Sequence, residues 1–444
     1  MRPEKEGRQT SKHRGLEMRG KVRDRQVGAP TPYNGWVPSI GLFLSLRFRH
    51  HQQLVCFVCR EHHHELPNMK TTTVIPLALQ ISIAAAQLLP HPDGPYKIQW
   101  ANTELVDSSR TDPFNATHAR RMMISHFTPV PADQCTQMCT VPYMPEEIAK
   151  IEDEIFVEYL RKKNATWPSG TLQGLEMEVC CEVATADTAS KTKFPTLLFG
   201  PGLNTTRLFY SSTGQHLASK GYEVIVMDHP YETDVVQFPN GEIIFGGAIG
   251  KDPNDMANYV FGLDVRTADV SFILDAFNIC KTTYMGHSFG GASAIASLPE
   301  EKRLASGINI DGTLFGSILE DGVPRPILFF GSQLPVEHNS TSDLTWTSLF
   351  AAMDAKHPDV WNRELNVVDS GHNTYGDYPL IADATGLRED EKLEEIFFGR
   401  VTGDRAMEIL TEYVTDFVEF TLLHGDEGLL AEESPLYPEV VFER

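Results

Sequence analysis

Tyr284-Met285-Gly286-His287-Ser288-Phe289-Gly290-Gly291 is the stretch on which the reading of this chain turns. It has the form G-x-S-x-G, with the small residues Ala292, Ser293 and Ala294 close behind. The pattern suits a nucleophile elbow, in which a strand ends in one strained residue and a helix starts at once, leaving the serine oxygen exposed at the turn. Gly286 and Gly290 lack the Cβ atoms that would clash in so tight a bend. Five positions are too few to decide a fold, so the flanking sequence has to.

On the N-terminal side, Phe194-Pro195-Thr196-Leu197-Leu198-Phe199 is an apolar run ending in Gly200-Pro201-Gly202. A helix is expected from Leu208 to Lys220, closed by Gly221 at its C-terminus. Tyr222 to Met227 reads as the next buried strand, and Asp228-His229-Pro230 as the loop after it. A hairpin around Pro239-Asn240-Gly241 precedes a long helix from Asp255 to Phe277. Thr282–Met285 then leads into Ser288 and a small-residue helix to Leu298. Beyond it, Gly307–Ile310, Pro326–Phe330 and Glu364–Val368 read as strands, the last of these closing the series. A helix from Asp404 to Leu423 puts Leu410, Tyr413, Val414, Phe417 and Phe420 on one face. Earlier, Met122–Val130 and Leu175–Val183 are expected strands and Pro145–Lys162 a helix, while 87–120 reads as an irregular opening segment. Continuously apolar strands alternating with helices argue an α/β architecture, a mostly parallel central sheet buried on both faces by flanking helices. With the elbow on it, the expected fold is that of an α/β-hydrolase, residues 87–444 forming one catalytic domain.

A serine hydroxyl is a poor nucleophile until a base takes its proton, and the base needs an anionic partner. In this fold the order along the chain is Ser, acid, His, with each residue in a loop at a strand's carboxyl end. His372, in Asp369-Ser370-Gly371-His372-Asn373, directly follows the strand ending at Val368 and is the expected base. His338, His357 and His424 read as solvated surface histidines, and His287 as packing at the elbow. For the acid, Asp311 follows Ile310 at a strand end, with Gly312 to turn the chain. Its competitors, Glu337 and Asp343, sit in a polar loop that reads as surface. Two N–H groups must face the negative charge that develops on the substrate oxygen. Phe289, next after the serine, and Leu203, in the loop after Phe199, are the expected donors. This chemistry needs neither cofactor nor metal. Cys56-x-x-Cys59 with His62-His63-His64 resembles half a zinc site, but no second Cys or His pair follows at suitable spacing.

Charge divides the chain. Residues 1–68 hold 12 Lys/Arg against 6 Asp/Glu, whereas the remainder holds 26 against 54, and the whole chain carries −22. At the break, Met69-Lys70 precedes an apolar run from Val74 to Ala86 that ends Ala84-Ala85-Ala86, the form of a secretory signal peptide over 69–86. Translation is accordingly expected to begin at Met69, with residues 1–68 a disordered, non-native upstream extension. Secretion permits disulfides. Five cysteines follow Gln87, so at least one stays unpaired, and Cys135 or Cys139 is expected to join one of the adjacent Cys180 and Cys181. N-x-S/T sequons at Asn115, Asn164, Asn204 and Asn339 suit a secreted glycoprotein, and the one at Asn204, beside the oxyanion loop, is expected to carry no sugar.

These residues resemble the plasma-type platelet-activating factor acetylhydrolases and their fungal and bacterial relatives. The likeness rests on Gly286-His287-Ser288-Phe289-Gly290-Gly291-Ala292, on Asp311 23 residues beyond the serine, on Phe199-Gly200-Pro201-Gly202-Leu203 with Leu217-Ala218-Ser219-Lys220-Gly221, and on Gly371-His372. It covers roughly Met122 to Leu423 and implies a secreted, calcium-independent serine esterase that removes short sn-2 acyl groups from phospholipids. The family's acid follows the sixth strand, which favours Asp311 over Glu337. Gly312-Thr313-Leu314-Phe315 departs from the family's aromatic-rich segment, and Asp228-His229-Pro230-Tyr231-Glu232 is this chain's own; both are expected to line the acyl or headgroup side. The negative charge disfavours anionic partners such as nucleic acid and suits a neutral or zwitterionic lipid ester met in transient contact with a lipid surface. No obligate protein partner is implied. A general carboxylesterase or polyester hydrolase, or a non-catalytic binding protein, would use the same fold.

Overall fold

The computed structural model describes residues 87–184 and 193–444; the expected leader and upstream extension lie outside them. In chain order the strands are β1 (Gln87–Leu88), β2 (Tyr96–Thr111), β3 (Ala119–Pro131), β4 (Cys135–Pro142), β5 (Leu175–Val183), β6 (Thr196–Gly200) and β7 (Glu223–Met227). They continue as β8 (Val235–Gln237), β9 (Ile243–Phe245), β10 (Thr282–His287), β11 (Leu304–Ile310), β12 (Ile327–Leu334), β13 (Asn362–Gly371) and β14 (Val440–Phe442). The helices are α1 (Glu146–Lys162), α2 (Ser211–Ser219), α3 (Met256–Ala276), α4 (Phe289–Ala296) and α5 (Ile318–Asp321). After these come α6 (Leu344–Lys356), α7 (Tyr378–Thr385), α8 (Glu391–Leu393) and α9 (Gly403–Leu422).

Nine strands form the central sheet in the order β14-β13-β12-β11-β10-β6-β7-β3-β2. The six from β7 to β13 in that row run parallel, and β14 and β3 pair antiparallel at either side. Alternate residues of each parallel strand go to opposite faces, so where both faces are buried, as at Leu197–Phe199, Val224–Met227 and Ile327–Phe330, the run is apolar throughout. Leu197, Phe199, Leu328 and Phe330 join one core with Tyr413, Val414 and Phe417 of α9. Leu198 and Phe329, between them in sequence, join the other core with Leu263 and Ile273 of α3 and Trp346 of α6.

Three expectations need correction. Residues 96–111 are not irregular but a 16-residue edge strand, paired with β3 from Tyr96↔Pro131 to Thr111↔Ala119. Little of β2 is buried beyond Ile98 and Asp107, so its sequence carries no apolar alternation. Second, β13 does not close the series: Val440–Phe442 returns antiparallel beside it. Third, both cysteines of the adjacent pair are bonded, Cys135 to Cys180 and Cys139 to Cys181. Cys180 is buried and Cys181 exposed, on opposite faces of β5. Cys135 and Cys139 would share a face of a regular strand, but the β4–β5 ladder slips twice between Cys135 and Met138, and each thiol meets its own partner. These bonds tie a separate three-stranded sheet, β1-β5-β4. Cys280 is free and exposed.

Candidate active site

Three non-glycine residues with positive φ stand just beyond the carboxyl ends of three adjacent strands: Asn204 (φ 51°) past β6, Ser288 (φ 56°) after β10 and Asp311 (φ 57°) after β11. Such backbone is costly and gathers at functional sites. Ser288, with ψ −122°, is the single residue between β10 and α4, and its N–H donates to the Ile310 carbonyl at 2.7 Å. The bend is closed by glycine. A Cβ on Gly290 would enter the Gly200 carbonyl, and one on Gly286 would enter the Gly290 carbonyl. A Cβ on Gly312 would strike the Ser288 carbonyl, which sets the Asp311 turn hard against the serine.

That turn is fixed from several sides. The Asn309 side chain spans it, accepting from the Gly312 N–H at 3.1 Å and donating to the Gly312 carbonyl at 2.8 Å, and Trp346 Nε1 donates to the same carbonyl at 2.8 Å. The Asp311 carboxylate, buried, bonds His372 Nδ1 through Oδ2 at 2.5 Å and also accepts from Ser332 Oγ at 3.0 Å. Its other oxygen bonds His338 Nδ1 at 2.9 Å, and His338 Nε2 reaches Asp343 Oδ2 at 2.9 Å. Burial alone would raise the Asp311 pKa, but the two imidazoles outweigh it and hold the group far below the usual carboxylate range. His338 is likewise disfavoured as a cation by burial, yet Asp311 and Asp343 push it up to about 10.

His338 is therefore no solvated surface residue, and Asp343, which also caps α6 through the Thr345 N–H at 2.7 Å, is half-buried behind it. The two lie five residues apart, but the Asp311 they back up is 27 residues before His338, so their residue types alone gave no signal. Glu337 and His424 are exposed as expected. His287 does more than pack. Its Nε2 donates to the His372 carbonyl at 2.8 Å, which makes Nδ1 the acceptor from the Tyr210 hydroxyl at 2.8 Å, and the Tyr210 oxygen accepts the Gly202 N–H at 3.1 Å. Burial, with the neighbouring His372 second, pushes His287 down to about 3, so the ring stays neutral.

The loop after β6 closes the group. A Cβ built on Gly202 would stand 3.5 Å from Ser288 Cβ, and Leu203 follows it. Phe289 opens α4, so its N–H has no acceptor within the helix. Arg266 of α3, buried, donates to the Pro201 carbonyl at 2.7 Å and the Gly202 carbonyl at 3.4 Å, pairs with Glu232, and lies 4.8 Å from the Phe289 ring centre. The loop after β7 is thus mostly framework rather than lining. Asp228 pairs with Arg207, His229 with Asp269 at 2.9 Å, and Glu232 with Arg266, all of them buried. Phe315 does stand at the elbow, stacked on Tyr259 at 4.8 Å and edge-on to Phe289 at 6.0 Å. Among the described residues no cluster of His, Cys, Asp or Glu could hold a metal ion.

A parallel sheet with a strained serine elbow, an acid–histidine pair at the same edge and a glycine loop beside it defines an α/β-hydrolase. The sequence profile described as "Platelet-activating factor acetylhydrolase, isoform II" matches residues 158–238 and 257–422, and the chain belongs to that family of ester hydrolases. It is 39% identical over 383 residues to a probable 1-alkyl-2-acetylglycerophosphocholine esterase of Arthroderma benhamiae, covering 82% of this chain and 96% of that one. A platelet-activating factor acetylhydrolase of Cavia porcellus is 22% identical over 51% of this chain and 57% of its own. Among solved structures, a ferulic acid esterase from Streptomyces cinnamoneus superposes with a TM-score of 0.65 at 26% identity, over 81% of this chain and all of that one.

Proposed function

We propose that the chain is a secreted serine esterase that removes short sn-2 acyl groups from phospholipids through an acyl-enzyme. The observation that carries this is the 2.5 Å bond from His372 Nδ1 to a buried Asp311, beside the strained Ser288 elbow. Asp311 only accepts, so the Nδ1 proton is held and Nε2 is left as the base atom. Ser288 Oγ attacks the ester carbonyl while His372 Nε2 takes its proton. His372 then passes that proton to the leaving alcohol, and Asp311 stabilises the imidazolium in between. The N–H groups of Leu203 and Phe289 receive the tetrahedral oxyanion. Water, deprotonated by the same imidazole, releases the fatty acid and restores Ser288.

Support for the substrate and the location comes from the relatives and from local chemistry. The Arthroderma relative's name specifies an alkyl-acetyl-glycerophosphocholine, and the aromatic group of Tyr259, Phe289 and Phe315 supports an acyl chain at the elbow. Val336 and Leu344, exposed on the segment after β12, support transient contact with a lipid surface. Two disulfides favour an oxidising compartment, in keeping with a leader over 69–86 and a mature single domain from Gln87. Asn204 is buried, which supports a sequon without sugar.

A fluorophosphonate probe should label Ser288 in the folded protein, and unlabelled protein would favour a non-catalytic binder. Hydrolysis of an sn-2 acetyl phospholipid should then exceed that of short nitrophenyl or feruloyl esters in kcat/KM; the reverse order would make it a general carboxylesterase. N-terminal sequencing of the exported protein should begin at Gln87, whereas peptides from residues 1–68 would contradict translation from Met69.

A further inference from the structure

We propose that His338 is a positioning residue of the active site: a second imidazole, charged in the resting enzyme, that fixes the Asp311 carboxylate for His372 and sets the pH at which catalysis switches on. The inference rests on the serine-esterase reading above and adds a fourth side chain to it.

Geometry makes the case. A carboxylate that orients a catalytic imidazole through one oxygen is free to swing about its Cβ–Cγ bond unless the other oxygen is also held. Here Oδ2 serves His372 and Ser332, and among the described residues Oδ1 serves His338 alone. His338 is itself fixed at three points. Its N–H donates to the Ser332 carbonyl at 2.7 Å, its Nε2 meets Asp343 at 2.9 Å, and its ring packs on Trp346 with centres 4.6 Å apart. Asp343 is steadied in turn by Thr313 and Thr345. Both ring nitrogens face carboxylates, which only accept, so the ring must be protonated at both positions.

The charged groups around His338 come from every element packed on it. Asp311 follows β11, Asp343 caps α6, and His372 stands at the end of β13 behind Asp311. Glu337, its chain neighbour, is exposed and reaches Asn366, while Glu364 of β13 takes the Ser340 N–H at 2.6 Å. The cation therefore shares the negative charge of Asp311 that would otherwise favour a proton on His372. Removing it leaves His372 alone beside that charge, and the acid limb of activity moves up.

The test is the pH dependence of kcat/KM for His338→Gln and His338→Phe, with active sites counted by fluorophosphonate. Gln retains a donor for Asp311 but no charge: the acid limb should rise by roughly 1 pH unit, within the range an adjacent charge produces, with a smaller fall in kcat than in His338→Phe. Phe retains the packing on Trp346 but offers no donor: the same rise should be joined by a fall in kcat of about 10- to 100-fold, the scale of a misplaced catalytic group. An acid limb unmoved in labelled His338→Gln overturns the proposal, even if the variant is less stable, because that is a structural role only. Should His338→Phe not fold, the glutamine variant alone decides. Failure of the wild-type serine to label would sink the serine-esterase reading instead, which is a different result from labelled variants with an unshifted profile.

Discussion

Arg266→Met separates what a buried charge does for stability from what it does for the reacting serine. The arginine stem could be replaced by methionine with little change of volume, but the guanidinium holds the Pro201 and Gly202 carbonyls and pairs with Glu232, itself 2% exposed. Removing one partner of a buried ion pair leaves the other uncompensated, at a cost of about 3–5 kcal/mol, and the lost contact over Phe289 adds about 0.5–2 kcal/mol. The double variant Arg266→Met/Glu232→Gln leaves no lone charge and should recover much of the first cost. Catalysis should not recover with it. The peptide carrying the Leu203 N–H, the proposed oxyanion donor, is held through those two carbonyls, and loss of a single oxyanion donor costs about 10²–10³ in kcat; a loosened donor should cost about tenfold or more. Urea denaturation gives the stability arm, and kcat and KM on a short ester, normalised to labelled serine, give the other. If kcat returns to wild type together with stability in the double variant, or never falls in the single one, the arginine does not organise the oxyanion loop and the reasoning is wrong.

Acid should weaken the fold through His287. Its pKa is pushed down to about 3 in the folded chain, whereas an unfolded histidine binds a proton near pH 6.5, so stability present above about pH 6.5 is lost as pH falls toward 3. His287→Asn should show a flatter decline in urea midpoint over that interval, and an unchanged slope would mean that other groups carry it. Reducing both disulfides should lower stability by about 2–5 kcal/mol while leaving kcat near wild type where the protein stays folded, because β4 and β5 belong to a sheet separate from the one bearing Ser288. A large fall in kcat on reduction would show that the two sheets are coupled.

The sequence exposes what is local or periodic and conceals what is paired at a distance. β6, β7 and β12 are visible because burial on both faces leaves uninterrupted apolar runs, and Ser288, Asp311 and His372 stand out as candidates because each follows an expected strand. β2 is hidden by its exposure at the edge, and β4 by its place at the edge of the small sheet, where none of its residues is fully buried. Buried ions are concealed for another reason. Arg266 with Glu232, Arg207 with Asp228, and His338 with Asp311 are each 21 to 34 residues apart, and nothing in the residues themselves says that a polar loop will be folded inward onto a charge. His338 read as surface because a sequon follows it, yet Asn339 is buried, its side chain capping the turn through the Thr341 and Ser342 N–H groups.

The positive-φ residues at the sheet edge also limit how this enzyme can diversify. A glycine at 288 or 311 would relax the backbone but delete the hydroxyl or carboxylate on which the proposed mechanism depends, and any side chain at 286, 290 or 312 would collide with main-chain carbonyls. The edge is thus closed to variation in both directions. New substrate preferences, whether acquired in lineages or selected in the laboratory, must come from positions one layer out, such as Tyr259 and Phe315, where side chains meet one another rather than backbone.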